Sequence, residues 1–255
     1  MGGRLAGSKP YYTLAVLDQD GKPTKNTYKL YSVTSIIGKV IAAPALYGWY
    51  YKVAVDGFSQ LVTKYGGSVP GDIESIKSLM ATEGLSPYKV RDVAGARGTA
   101  VHTDLENLCK GKVVKQTEAN EGLLRWWETR NLTKNDILAS ELFLMSPKLG
   151  YAGTLDVVYV DPTDGATVLA DLKTGYVSWT AFVQNNAYKD LADEQELFGG
   201  IDRVSVIHVR PVSEGKLMYG WEELVADTVT TETWRHILAI FNTLPVSIKE
   251  YQEDE

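Results

Sequence analysis

"GYAGTLDVVYVDPTDGATVLADLKTG", residues 150–175, reads as two β-rich runs joined by the turn-forming segment "DPTDG". Each run carries one aspartate, Asp156 and Asp171, and Lys173 follows the second by two residues. Strand alternation places Thr167, Leu169, Asp171 and Lys173 on one face of the second run, with Val168, Ala170 and Leu172 on the other. In the first run Asp156 shares a face with Thr154 and Val158. Two registers are open. If residue 160 pairs with 166, the two acids point to opposite faces; if it pairs with 167, they share one. Only the second register, or a bulge with the same effect, brings the carboxylates together.

Two carboxylates on one buried face repel each other and lose hydration unless a cation sits between them. A divalent metal meets that need, and hard oxygen ligands without thiolates favour Mg²⁺ or Mn²⁺, as one ion or two. Lys173 would enter the same pocket and polarise a phosphate oxygen or orient water. The plainer reading of D-x-K is an Asp–Lys salt bridge on an exposed strand face.

Outward from this hairpin, three strand-like runs (137–145, 151–160 and 166–173) follow a helix over 93–109 and a short helix over 120–130. A helix over 179–197, a strand at "RVSVIHVRPV", its partner at "KLMYGWEEL" and a last helix over 231–242 complete the pattern. Helix, three strands, helix and strand predict an α/β fold with a mixed central sheet flanked by helices. An N-terminal β-hairpin spans "YYTLAVLDQDGKPTKNTYKLYSVTSIIG", with Ser35 or Thr34 as the cap of the helical section after it. Residues 35–90 read as mainly helical, broken at Pro44, "YGGSVPGD" and "GLSP", with Asp72 capping one helix. The expected division is 1–90, hairpin and helical lobe, and 91–255, the core.

The 255 residues are 44% apolar and 23% charged, as in an ordinary globular protein. The apolar stretches are too short to span a bilayer. The opening "MGGRLAGSKPYY" resembles neither a signal peptide nor a myristoylation signal. A lone cysteine, Cys109, rules out an internal disulfide and a four-cysteine cluster within one chain, iron–sulfur included, and fits a reducing cytoplasm. A net charge of −6 argues against a protein coated in basic charge, but not against a basic groove. Residues 89–115 hold Lys89, Arg91, Arg97, Lys110, Lys112 and Lys115, while "KEYQEDE" concentrates acid at the tail.

"GTLD", then "DLKTG" fifteen residues on, then "QNNAY" with Gln184 and Tyr188, resembles the PD-(D/E)xK nuclease superfamily, in its RecB-like branch with a Q-x-x-x-Y motif. "RGTAVHTDLE" is similar to that branch's G-x-x-x-H-x-x-x-E helix through Gly98, His102 and Glu106, and Glu141 on the first strand sits where relatives often carry an acid. The resemblance covers roughly residues 90–210 and implies a restriction-endonuclease-like core. It implies metal ligation by His102, Asp156, Asp171 and the main-chain carbonyl of Leu172. On the same resemblance, catalysis falls to Asp156, Asp171, Lys173 and Glu106, while Gln184 and Tyr188 grip the DNA backbone or buttress the metal site, and DNA contact extends to Arg97. The Asp of "DLK" replaces the commoner Glu.

From the residues alone, His102 and Glu106 share one helix face, and packing or solvation serves a lone histidine as well. Glu106 stands equally placed to orient a water or His102, or to pair with Lys110. Gln184 and Tyr188 equally make a polar helix face.

No G-x-x-x-x-G-K-[ST] loop is present, so the nuclease would stand alone or work with separate partners, and its size, "SVTSIIG" opening and Tyr/Trp-rich helical section resemble phage-type exonucleases in recombination or replication. That resemblance implies action in the host cytoplasm on DNA, with no membrane partner. A single-strand annealing or recombination protein is an implied partner, and a homo-oligomer is compatible. Tyr47, Trp49, Tyr50 and Tyr51 would stack on unpaired bases or fill the lobe's core. Two rival functions stand beside hydrolysis of DNA. One is a non-catalytic DNA-binding or assembly protein that keeps the fold. The other is a glycoside hydrolase using the two aspartates as its acid pair, which leaves Lys173 without a role.

Overall fold

A computed structural model describes residues 10–42 and 44–249. The opening segment and the acidic tail from residue 250 lie outside the described residues. The fold is α/β, a seven-stranded mixed sheet flanked by helices, as the pattern of runs predicts.

Strands β1 (Tyr11–Leu17) and β2 (Pro23–Ser32) form the expected antiparallel hairpin. Its turn is organised by the Asp18 carboxylate, which accepts from the Asp20 and Lys22 N–H groups, and by Gly21 at φ 75°. Helix α1 (Val33–Val40) is capped by Ser32, whose hydroxyl accepts from the Ser35 N–H. The expected cap at Ser35 or Thr34 is thus displaced, because the helix starts as soon as the strand ends and those residues fall in its first turn.

The chain divides into two compact units by contact: one is Ala42–Ala100, the other the chain up to Ile41 with Val101 onward. The hairpin that sequence groups with the helical section belongs with the sheet, because β2 pairs with β4. In the smaller unit α2 (Pro44–Tyr65) crosses α3 (Ile73–Thr82) closely. A β-carbon at Gly57 would meet the Leu85 carbonyl at 2.5 Å and the Met80 methyl at 2.9 Å, and Leu61 and Met80 are buried. Asp72 caps α3, accepting from the Ser75 N–H at 2.9 Å. The aromatics of α2 divide: Tyr47 and Tyr51 are exposed, while Trp49 and Tyr50 are half-buried in edge contact. Helix α4 (Pro87–Cys109) begins six residues earlier than Val93, at a proline suited to a first turn.

In the larger unit come α5 (Glu121–Thr129), β3 (Ile137–Ser146), β4 (Tyr151–Val160), β5 (Thr167–Lys173), α6 (Trp179–Glu194), β6 (Arg203–Val209), β7 (Trp221–Val225), α7 (Thr231–Thr243) and α8 (Val246–Lys249). The sheet order is β1-β2-β4-β5-β6-β7, with β3 also on β4. Val157, Tyr159, Val168, Ala170 and Leu172 pack with Val101, Leu105 and Cys109 of α4 and Leu123 and Trp126 of α5. Val158 and Leu169 face the other way, against Val183, Ala187 and Leu191 of α6 and Trp234 and Phe241 of α7. Among the described residues no helix is long and apolar enough to cross a membrane.

Candidate metal and phosphate site

The register of the central hairpin is Val160 with Thr167, through to Val157 with Ala170. That is the register that sets Asp156 and Asp171 abreast, at the first position beyond the last laddered pair. There the strands part. β3 occupies one edge of β4, whereas the other edge is shared by β2 at Tyr151 and Ala152 and by β5 from Val157 onward. The gap between them is a fork, and the Asp156 carboxylate fills it, accepting from the Leu172 N–H at 2.8 Å.

β3 and β4 both change face at this level. Tyr151 and Leu155 pack in the same cluster as Val158, and Leu144 and Leu142 in the same cluster as Ala139, which an unbroken alternation forbids. The break falls at Glu141, whose φ is 49°. A left-handed backbone is costly for a residue with a β-carbon, and such strain gathers at functional sites. With it, Glu141, Asp156 and His102 of α4 present ligand atoms all within 4.8 Å of one another. His102 Nδ1 lies 3.4 Å from Asp156 Oδ2 but is buried without a hydrogen bond. One nitrogen and two carboxylates, with an unused buried lone pair or proton among them, suit a divalent ion.

Asp171 sits in different company. Lys173 Nζ donates to its Oδ1 at 2.9 Å and lies 2.6 Å from Oδ2, an atom buried without a hydrogen bond of its own. Gln184 of α6 donates from Nε2 to the same Oδ1 at 3.2 Å and to the Tyr188 hydroxyl at 3.1 Å, and its Oε1 accepts from Lys173 at 3.4 Å. The four residues Asp171, Lys173, Gln184 and Tyr188 thus form one network. A cavity of about 670 Å³ elsewhere, lined by Asn186, Lys189, Arg203 and Thr230, shares none of these residues.

Burial drives the protonation states. Loss of hydration pushes the Asp171 carboxyl up to about 6 against the pull of Lys173, with Asp156 adding to the rise. Burial acts on Asp156 too, but His102, Lys173 and the Leu172 N–H outweigh it and hold Asp156 below the usual carboxylate range. Burial works to lower His102, and the carboxylates of Asp156 and Asp171 overcome it, leaving the imidazole above its ordinary value. Burial and the two aspartates raise the Tyr188 phenol, so it stays neutral.

No protein-family model and no curated protein matches this chain.

Of the residues marked in sequence, His102 and Asp156 meet, joined by Glu141, whose place on the first strand was the only signal for it. Asp171, Lys173, Gln184 and Tyr188 meet in the second network. Leu172 contributes its N–H to Asp156. Glu106 pairs with Lys110 on the outer part of α4. Arg97 lies on α4 within the smaller unit. Sequence offered nothing on His208 of β6, which bonds Glu222 and the carbonyl of Gly175 just past Lys173, both at 2.8 Å.

Proposed function

We propose that this chain is a metal-dependent deoxyribonuclease that hydrolyses phosphodiester bonds from DNA ends. The observation that supports it most is the fork, where Asp156 and Asp171 stand abreast with Lys173 on one side and His102 and Glu141 on the other. Its motif order also resembles the RecB-like PD-(D/E)xK nucleases, and from that resemblance alone come action at DNA ends and a phage recombination or replication setting.

Asp156, Glu141 and His102 would hold Mg²⁺ or Mn²⁺, and Asp171, which acts electrostatically on Asp156 and His102, would add negative charge beside the ion. A divalent ion supplies Lewis acidity toward a phosphate oxygen and toward water. Asp156 is an anion at neutral pH and needs no proton loss to ligate. Lys173, half-buried beside Asp171, offers its ammonium to charge growing on a phosphate oxygen or to a water molecule. Gln184 fixes both Asp171 and Lys173, and neutral Tyr188 fixes Gln184.

The test is incubation of the purified chain with linear and closed circular DNA, labelled at either end, with Mg²⁺, Mn²⁺ or EDTA. Linear DNA is expected to shorten with either metal and not with EDTA, while circles persist. Lys173→Ala is expected to slow the reaction by about 10²–10³-fold. Wild type as inert as Lys173→Ala in every metal would sink the reading and leave a binding or assembly protein.

A further inference from the structure

Parallel strands β5 and β6 end together, and ligands in α/β folds gather at the carboxyl ends of such strands. The chain leaves β5 at Lys173 and enters α6 at Trp179, so residues 174–178 form a short bridge between two elements that carry the Asp171–Lys173–Gln184 network. The bridge is pinned in its middle. The Gly175 carbonyl, which can only accept, takes a hydrogen bond from His208 Nε2 at 2.8 Å. The other ring nitrogen of His208 is held by Glu222 at 2.8 Å, across the β6–β7 ladder. His208 is itself the register partner of Lys173. The imidazole therefore ties the bridge to the strand next to the lysine.

The bridge and the first residue of α6 carry two aromatics. Tyr176 is 77% exposed and Trp179 is 49% exposed, three and six residues past Lys173. Both rings stand open to solvent, on or directly after a segment tied to the strand beside Lys173. Next to groups suited to a phosphate, the matching ligand surface is the flat face of a nucleobase, open only where bases are unpaired.

We propose that Tyr176 and Trp179 are a stacking platform for unpaired nucleobases beside the scissile phosphate, held in place by His208 and Glu222. This rests on the phosphodiester reading above, and it extends that reading to a substrate class: single strands or frayed ends in preference to intact duplex. Stacking is tolerant of base identity, so the platform carries no sequence preference.

The experiment uses the full chain in EDTA, where nothing is hydrolysed. Fluorescence anisotropy measures binding of a short labelled oligothymidylate and of a blunt duplex of equal length. The variants are Tyr176→Ala/Trp179→Ala and Tyr176→Phe/Trp179→Phe, and the same preparations are assayed for DNA hydrolysis with Mn²⁺. The alanine pair is expected to bind oligothymidylate at least about tenfold more weakly, with duplex binding and melting temperature unchanged, and the phenylalanine pair to retain affinity. Equal oligothymidylate affinity in wild type and the alanine pair, with wild type still hydrolysing DNA, overturns the platform and leaves the nuclease reading intact. A platform effect on binding without hydrolysis by wild type does the reverse. Wild type that neither binds nor hydrolyses DNA removes both.

Discussion

The ring of Tyr188 occupies the space that a side chain at Gly153 would need: a β-carbon there would lie 2.5 Å from Tyr188 Cε1. Gly153 opens the "GTLD" run on β4, and Tyr188 closes the "QNNAY" run on α6, so two segments far apart in sequence are one fitted contact. Its role is to seat the phenol under Gln184, which holds Asp171 and Lys173. Gly153→Ala is expected to destabilise the protein by about 1–3 kcal/mol through overpacking, read by denaturant unfolding. Tyr188→Phe keeps the ring and loses only the hydroxyl that accepts from Gln184, so its cost is expected to be smaller, about 1 kcal/mol. Equal stability of Gly153→Ala and wild type would refute the contact.

Metal binding should register as stability. An ion that binds only the folded chain raises the unfolding free energy by about 2.7 kcal/mol at a hundredfold its dissociation constant. Mn²⁺ is therefore expected to raise the melting temperature of wild type. Asp156→Asn and His102→Ala should abolish the rise, and Glu141→Gln should weaken it, because His102, Glu141 and Asp156 supply the clustered donors. Glu106→Gln, which removes only a surface partner of Lys110, should leave the rise in place. A full response in Glu141→Gln would exclude that residue from the ligand set.

Period-2 runs and their turn made the element types around the site legible, since alternation and length separate strands from helices. Register was not legible, because "DPTDG" closes a hairpin in either pairing; burial of Val158 and Leu169 on one face and Val157 and Ala170 on the other selects between them. Glu141 shows a second limit. Alternation presumes an extended backbone, and its φ of 49° breaks that rule. Glu106 was ambiguous in sequence between the site and Lys110, and the helix surface gives it to Lys110. His208 escaped notice because its two partners, Gly175 and Glu222, are 33 and 14 residues away.

The metal-free site should make stability depend on pH. Burial lifts Asp171 from 3.8 to about 6, so between those values the folded chain holds a proton that the unfolded chain has released. Stability from this group is therefore fullest below 3.8, declines as pH rises to about 6, and stays low above. Asp156, lowered, runs the opposite way: its contribution is present above 3.8 and lost as pH falls through its folded value. His102, raised, contributes below 6.5 and loses that contribution as pH rises through its folded value. Asp171→Asn, neutral at every pH, is expected to exceed wild type in EDTA by about 1–3 kcal/mol at pH 8. The gain should vanish by pH 4, and Mn²⁺ should shrink it at pH 8. Parallel stability curves for the two proteins would contradict the raised value.

Behind the site, the sheet's far end carries its own charges. Asp161 is buried, and its Oδ2 lies 2.7 Å from Arg203 and 3.5 Å from Arg130, while its Oδ1 accepts from the Thr163 N–H at 2.9 Å. Arg130 in turn meets Glu223 at 2.6 Å, and Glu223 accepts from Tyr159, Ser205 and Trp126. Removing Asp161 takes one carboxylate from each guanidinium but leaves Arg130 with Glu223 and Arg203 with Asp164, and both arginines are about 30% exposed. Asp161→Ala is expected to cost about 1–3 kcal/mol, the loss of charge-assisted hydrogen bonds rather than of a lone buried pair. None of these residues touches the donors of the fork. Asp161→Ala should therefore melt earlier than wild type yet show the same Mn²⁺-induced rise, which separates the charges that hold the sheet from those that hold the ion. Loss of the Mn²⁺ response in this variant would mean that the two clusters are coupled through β4.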